Sequence, residues 1–354
     1  MNRLFHIRET LPANIKDNMN YNNIEFILLD YNSSDGLDNW IKHQMMEHIE
    51  SGLLKYCKVT APIHFDRCHS RNLACKLASG EIIALVDADN YTGKGYAEWL
   101  ASVFQNEGDD SVLTNIGSEN IMFKDQAGKC AFHVKYFLNV RGFDEAMNGY
   151  GFEDVDFTYR LVQAGGKRIP IQIMEFCKFI GHSDVERVCN ERLLNNTNSM
   201  YTLLSEDTDE RKQLQILYLF EDEKFMKVTY LFKIELSTNV YSSYQGWIIK
   251  PNGRHIGSYI WSQGILELGY DEPDLTERYS VNEEGELLMV MGDSAKWSLV
   301  PLNINTYIEY NLLYTECWNR NIYYMNAVED GRVNLHGFGK GEVMLNFTEY
   351  IAIV

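Results

Sequence analysis

Two aspartates that follow a short apolar run have the spacing of a cation-binding pair. The run of residues 82–86 predicts a buried strand, and Asp87-Ala88-Asp89 stands at its carboxyl end. In open α/β sheets, ligands bind in the crevice beyond the carboxyl ends of the strands. With one residue between them, the two side chains can diverge, one toward a hard divalent cation and one toward a bound ligand. Among 50 acidic residues, such a pair also arises by chance as a surface or helix-capping feature.

A second acidic pair, Glu153 and Asp154, follows a loop in which Gly149 and Gly151 flank Tyr150. Glycines permit close approach of the backbone to a ligand, which favours a binding loop. Helical spacing begins at the two carboxylates. Acidic side chains are also favoured in the first turn of any helix, so their position is equally typical of a plain helix start.

The elements that must position these groups alternate between apolar strands and amphipathic helices. Residues 24–29 predict a buried strand, residues 30–36 a turn, and residues 37–49 a helix. A second helix is predicted over residues 70–78. Because this order is typical of βα units, we predict an α/β domain with a Rossmann-like, mostly parallel sheet flanked by helices.

The pattern changes after the first 204 residues. Residues 205–215 form a charged stretch with helical spacing, and short alternating segments follow, including residues 228–236 and 322–325. Turn sequences separate these segments at residues 251–253, 282–285 and 330–331. We therefore predict two domains, residues 1–204 and residues 205–354, the second being a β-rich accessory domain of sandwich or barrel type.

Four tryptophans of the second domain admit two interpretations. Trp247, Trp261, Trp297 and Trp318 can form an exposed platform for a sugar, or they can fill the domain interior. Because small β domains need large aromatic side chains in their cores, we favour core packing.

Composition excludes several classes of function. The formal net charge of −18 opposes binding to nucleic acid or anionic lipid, so a phosphorylated ligand requires a bridging cation. The seven cysteines are scattered and never spaced as Cys-x-x-Cys, which indicates neither a disulfide framework nor a zinc site. No run approaches the roughly 20 apolar residues of a membrane span, and no signal peptide is recognised. We expect a cytoplasmic protein, either free or peripheral to the inner membrane face.

Six segments between residue 2 and about residue 200 follow one another in a familiar order. They are Asn2-Arg3-Leu4, Leu11-Pro12-Ala13-Asn14, Leu29-Asp30-Tyr31-Asn32-Ser33-Ser34-Asp35, Ser70-Arg71-Asn72-Leu73, Val86-Asp87-Ala88-Asp89 and Gly149-Tyr150-Gly151-Phe152-Glu153-Asp154. This order resembles the GT-A fold glycosyltransferases, especially family 2 and the β-1,4-galactosyltransferase and polypeptide N-acetylgalactosaminyltransferase groups. The resemblance implies hexosyl transfer from a nucleotide-diphosphate donor, typically a UDP-sugar, to a hydroxyl of a glycan, lipid-linked or protein acceptor, with Mn²⁺ or Mg²⁺ as cofactor.

The resemblance also implies roles for the two acidic motifs. Asp89 would be the primary metal ligand, Asp87 would contact the ribose and the diphosphate-bound metal, and His182 would complete the metal site, so that the metal residues would be Asp89, Asp87 and His182. Asp154, with Glu153 beside it, would be the general base that takes a proton from the acceptor hydroxyl. Inversion of configuration is the expected outcome, although the related polypeptide enzymes retain configuration on a similar scaffold.

Further residues are assigned to the two substrates by the same resemblance. The donor-binding residues would be Asp30, Asn32, Asp35, Arg71, Asn72 and Asp87. The acceptor-binding residues would be Tyr150, Gly151 and Glu153, with the Tyr150 ring covering an acceptor sugar.

Two departures from the family pattern leave an alternative open. Asp30 is followed by Tyr31 where many family 2 members have a second aspartate. No apolar strand precedes Asn2, which we interpret as a mis-assigned start codon, and a missing strand would leave an unpaired sheet edge. These departures favour a catalytically inactive carbohydrate- or nucleotide-binding protein on the same scaffold. A nucleotidyltransferase would instead show a glycine-rich, basic phosphate loop near the N-terminus, which this sequence lacks.

Overall fold

The computed structural model describes residues 1–115, 128–192, 196–208, 211–233, 248–270, 275–291, 295–301, 303–328 and 332–354. They form two compact units, one of Met1–Asn190 with Ile322–Val354 and one of Glu191–Asn321. None of the helices within these ranges combines the length and hydropathy that a membrane span requires.

Helices and strands are interleaved along the first unit, whereas strands dominate the second. The helices are α1 (Leu4–Asn18), α2 (Leu37–Gln44), α3 (Met46–Glu50), α4 (Arg67–Leu77), α5 (Tyr96–Glu107), α6 (Val134–Asn139), α7 (Glu153–Gln163), α8 (Asp184–Val188) and α9 (Ile304–Val328). The strands of the first unit are β1 (Phe26–Tyr31), β2 (Leu54–Val59), β3 (Ile82–Leu85), β4 (Ser111–Thr114), β5 (Cys130–His133), β6 (Lys167–Pro170), β15 (Gly341–Leu345) and β16 (Glu349–Ile353). Those of the second unit are β7 (Thr197–Thr208), β8 (Arg211–Phe220), β9 (Lys224–Lys233), β10 (Ile248–Ser262), β11 (Ile265–Tyr270), β12 (Thr276–Val281), β13 (Leu287–Met289) and β14 (Lys296–Leu299).

The strands of the first unit form two four-stranded sheets, in the orders β1-β2-β15-β16 and β3-β5-β4-β6. β1 pairs in parallel with β2, and β4 with β6. The other pairings in these sheets are antiparallel. The predicted α/β class is confirmed, but among the described strands of these sheets parallel pairing is confined to these two places and does not predominate as predicted. One reason is that β15 and β16 form a hairpin, which a short turn can join only in the antiparallel sense.

Alternate residues of β2 point into two apolar clusters, as the two-residue period of a strand requires. Leu54 and Tyr56 pack with side chains of α1 and α2, whereas Cys57 and Val59 pack with side chains of α4 and β15. The predicted helix over residues 37–49 is interrupted at Met45, which leaves helical geometry with φ −125° and buries its side chain in the first of these clusters.

The division of the chain into two units differs from the predicted boundary at residue 204. Residues 322–354 group with the first unit, because β15 pairs antiparallel with β2 at the positions of Met344 and Leu345. Val343 is fully buried in the cluster beneath this pairing. Pairing between residues almost 300 positions apart leaves no local pattern in the sequence.

The second unit contains a closed antiparallel barrel in the order β10-β11-β12-β13-β14-β7-β8-β9, which confirms the β-rich prediction. Helical structure over residues 205–215 was a wrong prediction, since Ser205 pairs across the β7–β8 ladder with Gln213. A strand over residues 322–325 was also wrong, because these residues lie in α9. In both cases longer-range pairing or packing overrides a short local pattern.

The predicted turns and tryptophans have mixed outcomes. A turn closes over residues 282–285 as expected, whereas residues 251–253 lie inside β10, where its register with β9 shifts. Trp297 is buried and Trp318 packs against a core cluster, but Trp261 is 41% exposed. Trp247 and the predicted turn at residues 330–331 lie outside the described residues.

Candidate active site

A cavity of about 300 Å³ in the first unit collects residues from both acidic motifs. Its apolar wall consists of Ile27, Leu28, Leu29, Leu85 and Val86. Among the described strands β1 pairs only with β2 and β3 only with β5, so two open sheet edges contribute to this wall. The polar wall is formed by Arg71, Asp87, Asp89, Glu153, Asp154 and His182.

Asp89 and His182 meet because the loops that carry them are joined by backbone hydrogen bonds. Asn90 and Phe179 form an isolated antiparallel bridge, and the Ile180 N–H donates to the Asp89 carbonyl oxygen at 2.8 Å. As a result, Asp89 Oδ2 lies 3.1 Å from His182 Nε2. The pair is 93 residues apart in sequence and mostly buried in the structure.

The Asp89–His182 pair fits a divalent cation. With the proton on Nδ1, which lies 3.2 Å from the Ser183 carbonyl oxygen, Nε2 and Asp89 Oδ2 would present two lone-pair atoms side by side, and a cation would satisfy both. Adjacent ligands about 2.1 Å from an octahedral cation lie about 3.0 Å apart, close to the observed separation.

A cation at this pair would need further ligands. Within the described part of the chain, no group of three His, Cys, Asp or Glu side chains is arranged to hold a metal. The remaining positions would therefore be taken by water or by a bound phosphate, as is usual for Mg²⁺ sites.

Asp87 turns toward a different partner from Asp89. Its Oδ1 lies 3.3 Å from Arg71 Nη2, and its side chain is 41% exposed. Gly128 passes close to the other carboxylate oxygen, where an added Cβ would lie 2.3 Å from Asp87 Oδ2 and 2.8 Å from Arg71 Nη2. Only glycine fits at this position without displacing the pair.

Glu153 and Asp154 open α7, as the sequence predicts. Phe152 precedes the helix with φ +66°, and Gly151 adopts φ +104°, which its missing Cβ permits. The Gly151 N–H donates to Glu153 Oε2 at 2.9 Å. Glu153 is buried, and through this bond it holds the glycine loop in place. Asp154, the next residue, lines the cavity.

Arg71 joins the two acidic motifs. It lies on α4, which begins after Asp66, whose side chain accepts from the His69 N–H at 2.8 Å as an N-cap. The Arg71 guanidinium makes three carboxylate contacts: 2.5 Å from Nη1 to Asp154 Oδ1, 3.4 Å from Nη1 to Glu153 Oε1, and 3.3 Å from Nη2 to Asp87 Oδ1. One largely buried guanidinium therefore holds carboxylates from both motifs in one place.

Burial and charge set the protonation of this cluster. Burial alone would lower the pKa of Arg71, but the charges of Asp154, Asp87 and Glu153 raise it, so the guanidinium stays charged. Burial raises the pKa of Asp154 to about 7, against the opposing influence of Arg71 and with a further rise from Glu153. Asp154 thus has a pKa suited to proton transfer near neutral pH.

Four of the residues predicted to bind the donor are instead engaged within the fold, and the cavity lining does not include them. Asp30 is buried and accepts from the Tyr56 hydroxyl at 2.6 Å. Asn32 donates to the Pro62 carbonyl oxygen at 2.8 Å, and Asp35 accepts from the Leu4 N–H at 2.7 Å. Asn72 is fully buried, because its amide bonds to the backbone of Phe143 and to the Glu145 carboxylate.

The cavity also contains three arginines to which the sequence analysis assigned no role in the site: Arg3, Arg67 and Arg187. Arg3 and Arg67 donate to the carbonyl oxygens of Glu186 and Arg187 at 2.5 and 3.0 Å, near the C-terminal end of α8. The three arginines are separated in sequence and come together only in the folded chain. The net charge of −18 gives no indication of such a basic group.

Tyr150 lies in the cavity wall between two of these arginines. The Arg187 guanidinium is 4.6 Å from the ring centroid, and that of Arg67 is 5.3 Å away. Cation–π contacts of this kind fix the orientation of a ring at the mouth of a site.

Two family models match the chain. Residues 2–158 match the model described as glycosyl transferase family 2, and residues 122–201 match the N-terminal domain of galactosyltransferase. The comparison with curated proteins finds no match.

Solved structures of one enzyme are similar over 46% of this chain. The catalytic domain of Drosophila β1,4-galactosyltransferase 7 in complex with xylobiose is 17% identical, with a TM-score of 0.32 over 73% of that chain. A mutant of the same enzyme in complex with manganese, UDP-Gal and xylobiose is 16% identical, with a TM-score of 0.31 over 74% of that chain.

The resemblance drawn from the sequence motifs is confirmed by the family models. The chain is a glycosyltransferase with a GT-A fold, and its residues 2–158 match the model of glycosyl transferase family 2.

Proposed function

We propose that this glycosyltransferase moves a sugar from a nucleoside-diphosphate donor, a UDP-sugar in the first instance, to an acceptor hydroxyl with inversion of configuration. The observation that carries the proposal is the contact of Arg71 with both Asp87 and Asp154 in a cavity that also holds the Asp89–His182 pair. Groups suited to the donor phosphates and to the acceptor thereby face the same space.

The charge of the cavity wall supports a diphosphate ligand. Four arginines and four carboxylates line it: Arg3, Arg67, Arg71, Arg187, Asp87, Asp89, Glu153 and Asp154. The wall is formally neutral, in contrast to the chain as a whole at −18. Adding a divalent cation would give the wall two positive charges, which match a diphosphate.

Asp89 and His182 are the proposed ligands of that cation, and Asp87 is the proposed contact to the ribose and to the diphosphate-bound cation. A divalent cation bound there would neutralise charge on the departing diphosphate. Arg71 would hold Asp87 in place during the reaction, because its own contacts with Glu153 and Asp154 anchor it from the opposite side.

Asp154 is the proposed general base. Arg71 contacts its Oδ1, and no hydrogen bond from a described residue reaches Oδ2, so this second oxygen can accept the acceptor hydroxyl proton. A carboxylate that acts as a base leaves the incoming oxygen to displace the donor diphosphate directly, which inverts the anomeric carbon.

Tyr150 and Gly151 are the proposed acceptor contacts. The Tyr150 ring, held by Arg67 and Arg187, offers a flat face on which a sugar can stack. Gly151 is fixed by Glu153, so the loop that carries the ring is anchored to the same helix as the base.

Release of UDP by the purified chain tests this proposal. UDP-sugars are supplied with Mn²⁺ or Mg²⁺, first without an acceptor and then with glycan, lipid-linked and peptide acceptors. We expect slow cation-dependent donor hydrolysis, and faster UDP release with one acceptor class. Cation-dependent binding of UDP without any turnover would instead support the binding-protein alternative.

A further inference from the structure

Residues 322–354 belong to the first unit, which also carries both acidic motifs. They contribute the last turns of α9, a turn region at residues 332–340 and the β15–β16 hairpin. Hydrogen bonds from the first two parts reach the turn at residues 141–145 and the first turn of α7, and residues 332–340 also contact α4.

Asn326, on the last turns of α9, bridges two buried carboxylates. Its Nδ2 donates to Asp144 Oδ2 at 2.8 Å and to Asp156 Oδ1 at 3.0 Å. The side chains of Asp144 and Asp156 are buried, and Asp156 also pairs with Arg160 at 2.7 Å. The two N–H bonds of one amide therefore tie the residue 141–145 turn to α7.

Asp156 lies two residues after Asp154, in the first turn of α7. Loss of the Asn326 amide would leave two neighbouring buried carboxylates without their shared donor. Among the described side chains, only Arg160 forms an ion pair with either of them, and the Ala146 N–H remains bonded to Asp144. Unpaired buried charge is costly, so the first turn of α7 would move to relieve it. Such a movement carries Asp154 with it.

Asn334 and Gly339 hold the other end of the same turn. Asn334 donates to the Arg141 and Phe143 carbonyl oxygens, each at 2.7 Å, and accepts from the Glu145 N–H at 3.1 Å. The Gly339 N–H donates to Glu145 Oε1 at 2.7 Å.

Glu145 transmits this restraint to α4. Its Oε1 also accepts from the Asn72 amide at 2.9 Å, and Asn72 is the neighbour of Arg71. The C-terminal residues thus reach the Arg71–Asp154 contact from both sides, through Asp156 on α7 and through Asn72 on α4.

We propose that residues 322–354 form a positioning segment for the active site, in which Asn326 and Asn334 are positioning residues that set the placement of Asp154 against Arg71. This inference rests on the proposed function, since Asp154 is the base in that proposal. It assigns catalytic importance to a part of the chain that the two family models, which end at residues 158 and 201, do not cover.

The first test replaces Asn326 with alanine and compares it with Val328→Ala. Val328 lies on the same helix two residues further on and is 85% exposed, so its truncation controls for a change in this turn. For Asn326→Ala we expect kcat to fall about 10- to 100-fold, as for a displacement of about 1 Å, with the donor KM changed less than threefold. Val328→Ala should match the wild type.

Hydrogen exchange supplies a measurement that does not depend on turnover. Amides of residues 153–158 should exchange faster in Asn326→Ala, while those of β1 and β2 stay as protected as in the wild type. A chain without transferase activity would end the proposed function, whereas the exchange pattern would still test the restraint on α7.

Asn334→Gly tests the same proposal if Asn326→Ala does not fold. Asn334 adopts φ +48°, so Asn334→Gly removes its amide without straining the backbone. The expected result is again a loss in kcat of tenfold or more at nearly constant donor KM. Wild-type kcat in a folded variant would overturn the proposal. So would a loss accompanied by faster exchange throughout both sheets, because that pattern marks general destabilisation.

Discussion

Arg71 Nη1 lies 2.5 Å from Asp154 Oδ1, and the same guanidinium reaches Asp87 with its other nitrogen. The side chain on α4 thereby connects the proposed base with the proposed phosphate-binding motif. Burial raises the pKa of Asp154, and the contact with Arg71 opposes this rise. The activity of the site should therefore depend on pH.

The first prediction concerns that dependence. Burial raises the pKa of Asp154 to about 7, and the base must be ionised to act, so kcat/KM should fall as pH drops below about 7. Arg71→Gln removes the charge that favours ionisation and should move this acidic limb to higher pH. Initial rates of UDP release between pH 5 and 9 measure both profiles. A limb that stays in place in Arg71→Gln would contradict the assignment.

The second prediction concerns the cation. Asp89→Asn and His182→Ala each remove one proposed ligand, so Mn²⁺ binding in the presence of UDP should weaken about 10- to 100-fold. Titration of Mn²⁺ followed by the electron paramagnetic resonance of the free ion measures this directly. Asp109→Asn is the control, because that carboxylate is 61% exposed and does not line the cavity. Equal affinity in all four proteins would place the cation elsewhere.

The third prediction uses the space around Gly128. A Cβ at this position would lie 2.3 Å from Asp87 Oδ2, and the atoms that it meets are ends of flexible side chains. Gly128→Ala should therefore displace Asp87 and Arg71 and lower kcat/KM at least tenfold, with little change in the melting temperature. Gly80→Ala is the matched control, since the nearest atom to its added Cβ is 3.5 Å away. Full activity in Gly128→Ala would show that the placement of Asp87 is not critical.

The fourth prediction separates donor binding from folding. Asn72 is fully buried and its amide makes three hydrogen bonds, so Asn72→Ala should lower the free energy of unfolding by about 2–3 kcal/mol. The Kd of UDP for the folded variant should stay within about threefold of the wild type. Chemical denaturation and calorimetric titration measure the two quantities. A large loss of UDP affinity at unchanged stability would contradict this prediction and support a role for Asn72 in donor binding.

The sequence predicted the motifs well because strand ends and helix starts have local signals. Asp87 and Asp89 follow a run of apolar residues, and Glu153 and Asp154 follow a glycine loop, so each pair is found within about ten residues. The residue that connects the two pairs could not be identified from the sequence. Arg71 was predicted only as a donor-binding residue, but in the structure it contacts Asp154, 83 positions away.

Other features left no local signal. Asp30 lies near the carboxyl end of β1, where a ligand-binding aspartate is expected, but its carboxylate accepts a hydrogen bond from the Tyr56 hydroxyl of the neighbouring strand. The arginines of the cavity come from separate parts of the chain, and their grouping depends on the packing of α8. The return of residues 322–354 to the first unit likewise depends on one strand pairing that the alternating pattern of the C-terminal half conceals.

The central claim is that Asp154 acts as a base beside a cation-dependent donor site. The most direct measurement compares UDP release with UDP binding in the wild type and in Asp154→Asn, with Mn²⁺ present. We predict that turnover falls about 10²- to 10⁴-fold while the Kd of UDP changes less than threefold. Wild-type turnover in Asp154→Asn would contradict the account.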